Sequence, residues 1–142
     1  MSSEFSAELR GELLDEFYAE CDDLITSVRR QLAELESSVD RITPGAEALE
    51  ALFRNLHTLK GICAIAGLRV AEQLAHAMED LLRGVTKGSI ALTAGTLDVL
   101  GSAMQRFVQI VGSHRNSTPC PEITDLLTEL KQWAPASAAI VG

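Results

Sequence analysis

His57, Lys60 and Gly61 lie within about one helical turn of one another and share one surface of a helix. Steps of three and four from Glu50 lead through Arg54 to His57, then to Lys60, Gly61 and Ala64, a polar stripe beside an apolar one. His57 follows the core position Leu56 and falls on the accessible side, and Lys60 sets an ammonium over the same surface. Gly61 costs a helix about 1 kcal/mol relative to Ala. Its bare backbone lets another molecule come close to the imidazole. The next helix supplies a carboxylate, on a polar stripe of Glu72, His76, Glu79 and Arg83. A turn at Gly67-Leu68 between antiparallel helices sets His57 opposite Glu79 and Lys60 opposite His76. A carboxylate on Nδ1–H fixes the tautomer and leaves the Nε2 lone pair outward as a nucleophile. The His57–Glu79 pair is expected to be exposed, so that loss of Glu79 leaves melting nearly unchanged.

One nucleophilic imidazole, a carboxylate orienter, an ammonium and no second acid or base suit phosphoryl acceptance. Nε2 attacks phosphorus, and Lys60 gives the phosphoramidate oxygens a charge-assisted contact of about 1.5–3 kcal/mol. The sequence has no GxxxxGK[ST] loop and no glycine-rich strand–turn–helix. The donor must then come from another domain, which makes this one a phosphoryl carrier. A partner is expected to meet Arg54, Thr58, Gly61, Ala64 and Ile65, flanked by Leu68 at the turn. His76, as a neighbour of Lys60, is expected to be structural or to tune local charge. His114 ends the fourth helix and is assigned no function. A di-iron bundle would want Glu-x-x-His on two helices. The chain has His76-x-x-Glu79 once, and Lys60 would repel a cation, so no metal site is expected.

The positioning elements are all helical by periodicity. Leu13, Phe17, Cys21, Leu24, Val28, Leu32 and Leu35 predict one long amphipathic helix from Ser6 to Ser37, ending before the turn-rich stretch Asp40 to Gly45. Leu49, Leu52, Leu56, Leu59, Cys63 and Ala66 form the core stripe of the second, with Gly67 as its C-cap. Val70, Leu74, Met78, Leu81 and Val85 belong to the third. Thr93 N-caps a fourth bearing Leu97, Leu100, Met104, Phe107 and Val111. A short fifth, with Pro121 in its first turn, carries Ile123, Leu127, Leu130 and Trp133. No run alternates with period two. The fold class is therefore all-α, an antiparallel four-helix bundle with a short fifth C-terminal helix. The domain is assigned to residues 1–134, and residues 135–142 read as the start of a linker.

The chain has 142 residues, of which 46% are hydrophobic and 4% aromatic, so its core must be aliphatic. Residues 1–40 hold eleven acids and three bases, a net −8 that equals the charge of the whole chain. That balance argues against a nucleic-acid partner and describes a solvated acidic helix face. Cys21, Cys63 and Cys120 are odd in number, far apart in sequence and without a CxxC pair. Neither a disulfide framework nor a zinc site is expected, and a reducing cytoplasm is the default. No signal pattern and no stretch of ~18 apolar residues is present, so no membrane insertion is expected.

His57-Thr58-Leu59-Lys60-Gly61, with Gly67 ten residues after the histidine, resembles the HxxKG…G signature of histidine phosphotransfer (HPt) domains. The run His76-Ala77-Met78-Glu79-Asp80-Leu81-Leu82-Arg83-Gly84, then Gly88-Ser89-Ile90, is similar to the N-terminal phosphotransfer domain of CheA-type chemotaxis histidine kinases. The resemblance covers Leu13 to Trp133, with a departure at Ile62 to Ala66, where many relatives are richer in Gly or Ser. It implies the HPt fold, His57 as the phosphorylated histidine, Lys60 and Gly61 as its companions, and Glu79 as the orienting carboxylate. His76 falls where the family often has a second histidine. The implied function is phosphoryl carriage in two-component, chemotaxis-type signalling. His57 would accept a phosphoryl group from an ATP-bound histidine kinase domain and pass it to an aspartate of a CheY-like or CheB-like response regulator receiver domain. The resemblance implies no cofactor in the domain itself. ATP and Mg²⁺ would be held by the kinase domain, and Mg²⁺ by the response regulator. A stand-alone phosphorelay HPt of a hybrid kinase and a docking-only bundle are the alternatives, and the intact His57, Lys60, Gly61 and Glu79 speak against the latter.

Overall fold

The computed structural model describes residues 2–38 and 45–133. Five helices run α1 Ser2–Ser38, α2 Ala46–Ala66, α3 Arg69–Thr86, α4 Ala94–Asn116 and α5 Thr124–Gln132, with no strand among the described residues. Most of the expected turn at 40–45 and the linker at 135–142 lie outside the described residues.

Each long helix packs on its two neighbours in the order α1, α2, α3, α4 and back to α1, and α5 lies against α3 and α4. This is the antiparallel four-helix bundle with a short fifth helix. The aliphatic stripes meet in one core around Phe107, Leu52, Leu56, Leu59, Leu74 and Met104. Leu13 departs from its expected core place and is exposed, as is Leu9. At 37 residues, α1 is far longer than the 21-residue α2 and the 23-residue α4 it packs on, so Leu9 and Leu13 find little cover.

The ends of α2 and α4 follow from their caps. Gly67 takes φ 81°, donates to the Ala64 carbonyl at 3.2 Å, and lets Leu68 N–H reach the Cys63 carbonyl at 2.9 Å. This Schellman arrangement reverses the chain within two residues and buries Leu68. Leu68 therefore does not flank the functional surface as expected. Thr93 and Thr96 form a reciprocal capping box at the start of α4.

The fifth helix begins at Thr124 rather than at Pro121. Arg106 of α4 accounts for the difference. It donates to the Glu122 carbonyl and pairs with Asp125, holding the segment before the helix against α4 while Ile123 is buried. Leu126 and Leu130 then face the core, and Leu127 is only half-buried.

Candidate functional site

The Gly67-Leu68 turn brings the outer faces of α2 and α3 together, and one carboxylate sits between them. His57 Nδ1 lies 2.7 Å from Glu79 Oε2, and Lys60 Nζ donates to Glu79 Oε1 at 2.8 Å. The first pairing is the one expected from the turn. The second differs from expectation: Lys60 bonds Glu79, while His76 turns along its own helix to Asp80, with Nε2 and Oδ2 3.4 Å apart. A carboxylate has two oxygens to share, so Glu79 can take both α2 side chains at once.

The imidazole is 64% exposed and Glu79 is 0% exposed. The pair is thus half surface and half core, which corrects the expectation of an exposed pair. Glu79 belongs to a polar stripe by spacing, but it lies between Met78 and Leu82, both buried. The stems of Lys60 and Arg83 belong to the two cations bonded to it, and such stems can cover what they bond. Arg83 is the contact that sequence spacing left unread: Nη2 approaches Glu79 Oε1 at 3.3 Å and Nη1 donates to Asp80 at 2.7 Å. Its position four residues after Glu79 was the available signal.

Burial pushes the Glu79 carboxyl up, but hydrogen bonds from Lys60 and His57 outweigh it and hold the group below the usual carboxylate range. A carboxyl whose folded-state value is depressed stabilises the fold above its unfolded value and loses that contribution as pH falls through the folded one. Urea midpoints should therefore drop as pH is lowered below the ordinary value of 4.5. Glu79→Gln should show a shallower acid limb than the wild type, and equal slopes would contradict the assignment.

A Cβ built on Gly61 meets nothing within 4 Å. The glycine is therefore no packing residue, and its exposed position keeps the surface beside the imidazole low. Gly61→Ala should stabilise the bundle by up to about 1 kcal/mol, read as a higher melting temperature. Gly61→Gln should fold equally well yet slow the phosphorylation and onward transfer expected from the sequence, because both expected partners would approach the same ring. Normal rates in both directions would show that clearance is not its value.

Arg54, Ala64 and Ile65 are exposed along the same helix, Ile65 to 90%. Thr58 is half-buried and donates to the Arg54 carbonyl at 3.0 Å. Cys63 points the other way and is buried. The neighbouring Cys21 side chain of α1, with burial, pushes the Cys63 thiol well above its ordinary value, which makes it an inert packing group. His114 accepts from or donates to Tyr18 Oη through Nδ1 at 2.6 Å, on the α1–α4 side of the bundle. Among the described residues, no three His, Cys, Asp or Glu side chains are grouped as metal ligands. Nor is any helix there long and apolar enough to cross a membrane.

Comparison with known proteins gives the geometry a family. The chain is 27% identical over 135 residues to the chemotaxis protein CheA of Treponema pallidum, covering 92% of this chain and 16% of that one. It is 39% identical over 88 residues to CheA of Halobacterium salinarum, covering 61% and 12%. The chain thus spans less than a fifth of the length of these relatives. Among solved structures, the phosphorylated P1 domain of CheA3 in complex with CheY6 from R. sphaeroides superposes with a TM-score of 0.61 at 25% identity, covering 83% of this chain and 94% of that one. The family model of the Hpt domain matches residues 12–133, from within α1 through the residue that closes α5, and the chain belongs to that family.

Proposed function

We propose that the domain carries a phosphoryl group on Nε2 of His57 within a two-component, chemotaxis-type signalling protein. The observation that carries this is the 2.7 Å contact of Nδ1 with a buried carboxylate on an imidazole that is itself 64% exposed. With Nδ1–H donating to Glu79, Nε2 holds the lone pair and faces a partner. In the transfer, the Nε2 lone pair forms the N–P bond as the donor's P–O bond breaks, and the electron pair leaves with the departing oxygen. The ring gains positive charge at that moment, and the Glu79 carboxylate balances it.

The donor is a histidine kinase catalytic domain, which supplies ATP and Mg²⁺. The acceptor is an aspartate of a response regulator receiver domain, CheY-like or CheB-like, which brings its own Mg²⁺. Likeness to CheA over most of this chain supports the first partner, and the P1 domain's complex with CheY6 supports the second. The domain works in the cytoplasm, where both partners would be found. Lys60 supports the phosphoryl oxygens, and Gly61 clears their path. Single-turnover transfer with purified components tests this. Label from γ-labelled ATP should pass from kinase domain to this chain as an acid-labile, base-stable adduct, then leave on addition of the receiver domain. A chain that binds both partners without ever taking label would be a docking module instead.

A further inference from the structure

Arg83 sits at the middle of the charge network. Its guanidinium carbon lies 5.5 Å from the centroid of the Phe53 ring on α2, while its two terminal nitrogens bond Glu79 and Asp80. An arginine fork held on two carboxylates and against a ring keeps little freedom. Oε1 of Glu79 therefore faces two cations, Lys60 at 2.8 Å and Arg83 at 3.3 Å, whereas Oε2 has His57. Glu79, Asp80, Lys60 and Arg83 together carry no net charge around the imidazole.

The second cation resolves a conflict for Lys60. At rest its ammonium is committed to Glu79, yet a phosphoryl group on Nε2 needs a cation of its own. Were Lys60 the sole donor on Oε1, its departure would leave a carboxylate of 0% exposure short of compensation. We propose that Arg83 is a positioning residue for phosphotransfer. It keeps a donor on Oε1 and so holds Oε2 on His57 Nδ1 while Lys60 swings to the incoming phosphoryl oxygens. This deepens the phosphoryl-carrier reading and rests on it.

The test uses the whole chain in two measurements. NMR titration of His57, which needs no phosphate, is compared between wild type, Arg83→Met and Arg83→Lys. The charged groups facing the ring are Glu79, Lys60 and, through Glu79, Arg83, with Arg54 along α2. Removing one cation from this set should raise the midpoint of His57 in Arg83→Met. The acid limb of the phosphorylation pH profile should move up with it, and the rate from the kinase domain should fall about threefold to tenfold. Arg83→Lys, which can still reach Oε1, should recover most of both. Because the Arg83 side chain is 43% exposed, the bundle should stay folded. Should Arg83→Met unfold, Arg83→Gln, which keeps a donor without the charge, reads the same shift. A wild-type titration and pH profile in Arg83→Met would reduce Arg83 to a surface ion pair, and so would failure of lysine to rescue. Either result leaves the carrier role standing, since that falls only if the wild-type chain binds both partners and never takes label.

Discussion

Replacing His57 with glutamine is expected to abolish acid-labile, base-stable phosphate incorporation, whereas His76→Gln and His114→Gln retain it. The three histidines differ in which nitrogen is committed. His57 uses Nδ1 on a buried carboxylate and keeps Nε2 for attack. His76 has Nε2 itself turned to Asp80, and its partner is an exposed carboxylate. His114 engages Tyr18 on another side of the bundle. Only His57 has a lysine bonded to the same carboxylate one turn away. Glutamine can still donate from its amide to Glu79, so the variant should melt close to wild type while lacking a nucleophile. Labelling that survives in His57→Gln would overturn the assignment of the acceptor.

The second large effect is that of Glu79→Ala, on rate and stability together. Without the carboxylate the imidazole loses its orienting acceptor and the unreactive tautomer becomes accessible, so phosphorylation should slow at least about tenfold, roughly 1.4 kcal/mol of barrier. Melting should also fall, against the expectation from sequence. Glu79 is 0% exposed and receives bonds from α2 and from its own helix, so its loss removes an α2–α3 tie and leaves a void. Lys60 and Arg83 are 23% and 43% exposed and can turn to water, which limits the cost to about 1–3 kcal/mol. Kinetics below the melting transition, with helicity checked by circular dichroism, separate the two effects. An unchanged rate in the folded variant would remove Glu79 from the mechanism, and unchanged melting would show the buried tie to be energetically idle.

Much of this was legible from residue order. Stripes of leucine at three- and four-residue steps required amphipathic helices, and Gly67 and Thr93 marked an end and a start because caps are local chemistry. The opposition of His57 and Glu79 followed from a tight turn, since antiparallel helices joined by two residues have little choice of register. The start of α5 was not legible, because Arg106, far back on α4, decides where that segment is held. Nor was the contact between Cys21 and Cys63, which are distant in sequence and meet only where α1 crosses α2.

Helices, their polar and apolar faces and the reactive residues were all written in residue order, because periodicity and capping act within a few residues. How deep a polar group lies, and which groups of other helices it meets, was set by the packing of one helix on another. Glu79 reads as a surface residue on its own helix and becomes a buried carboxylate only when Lys60 of α2 and Arg83 of α3 bond it there. Its burial and its pairing with Lys60 depend on what α2 lays over it, and periodicity within α3, which reaches only as far as Arg83 four residues on, does not carry that information.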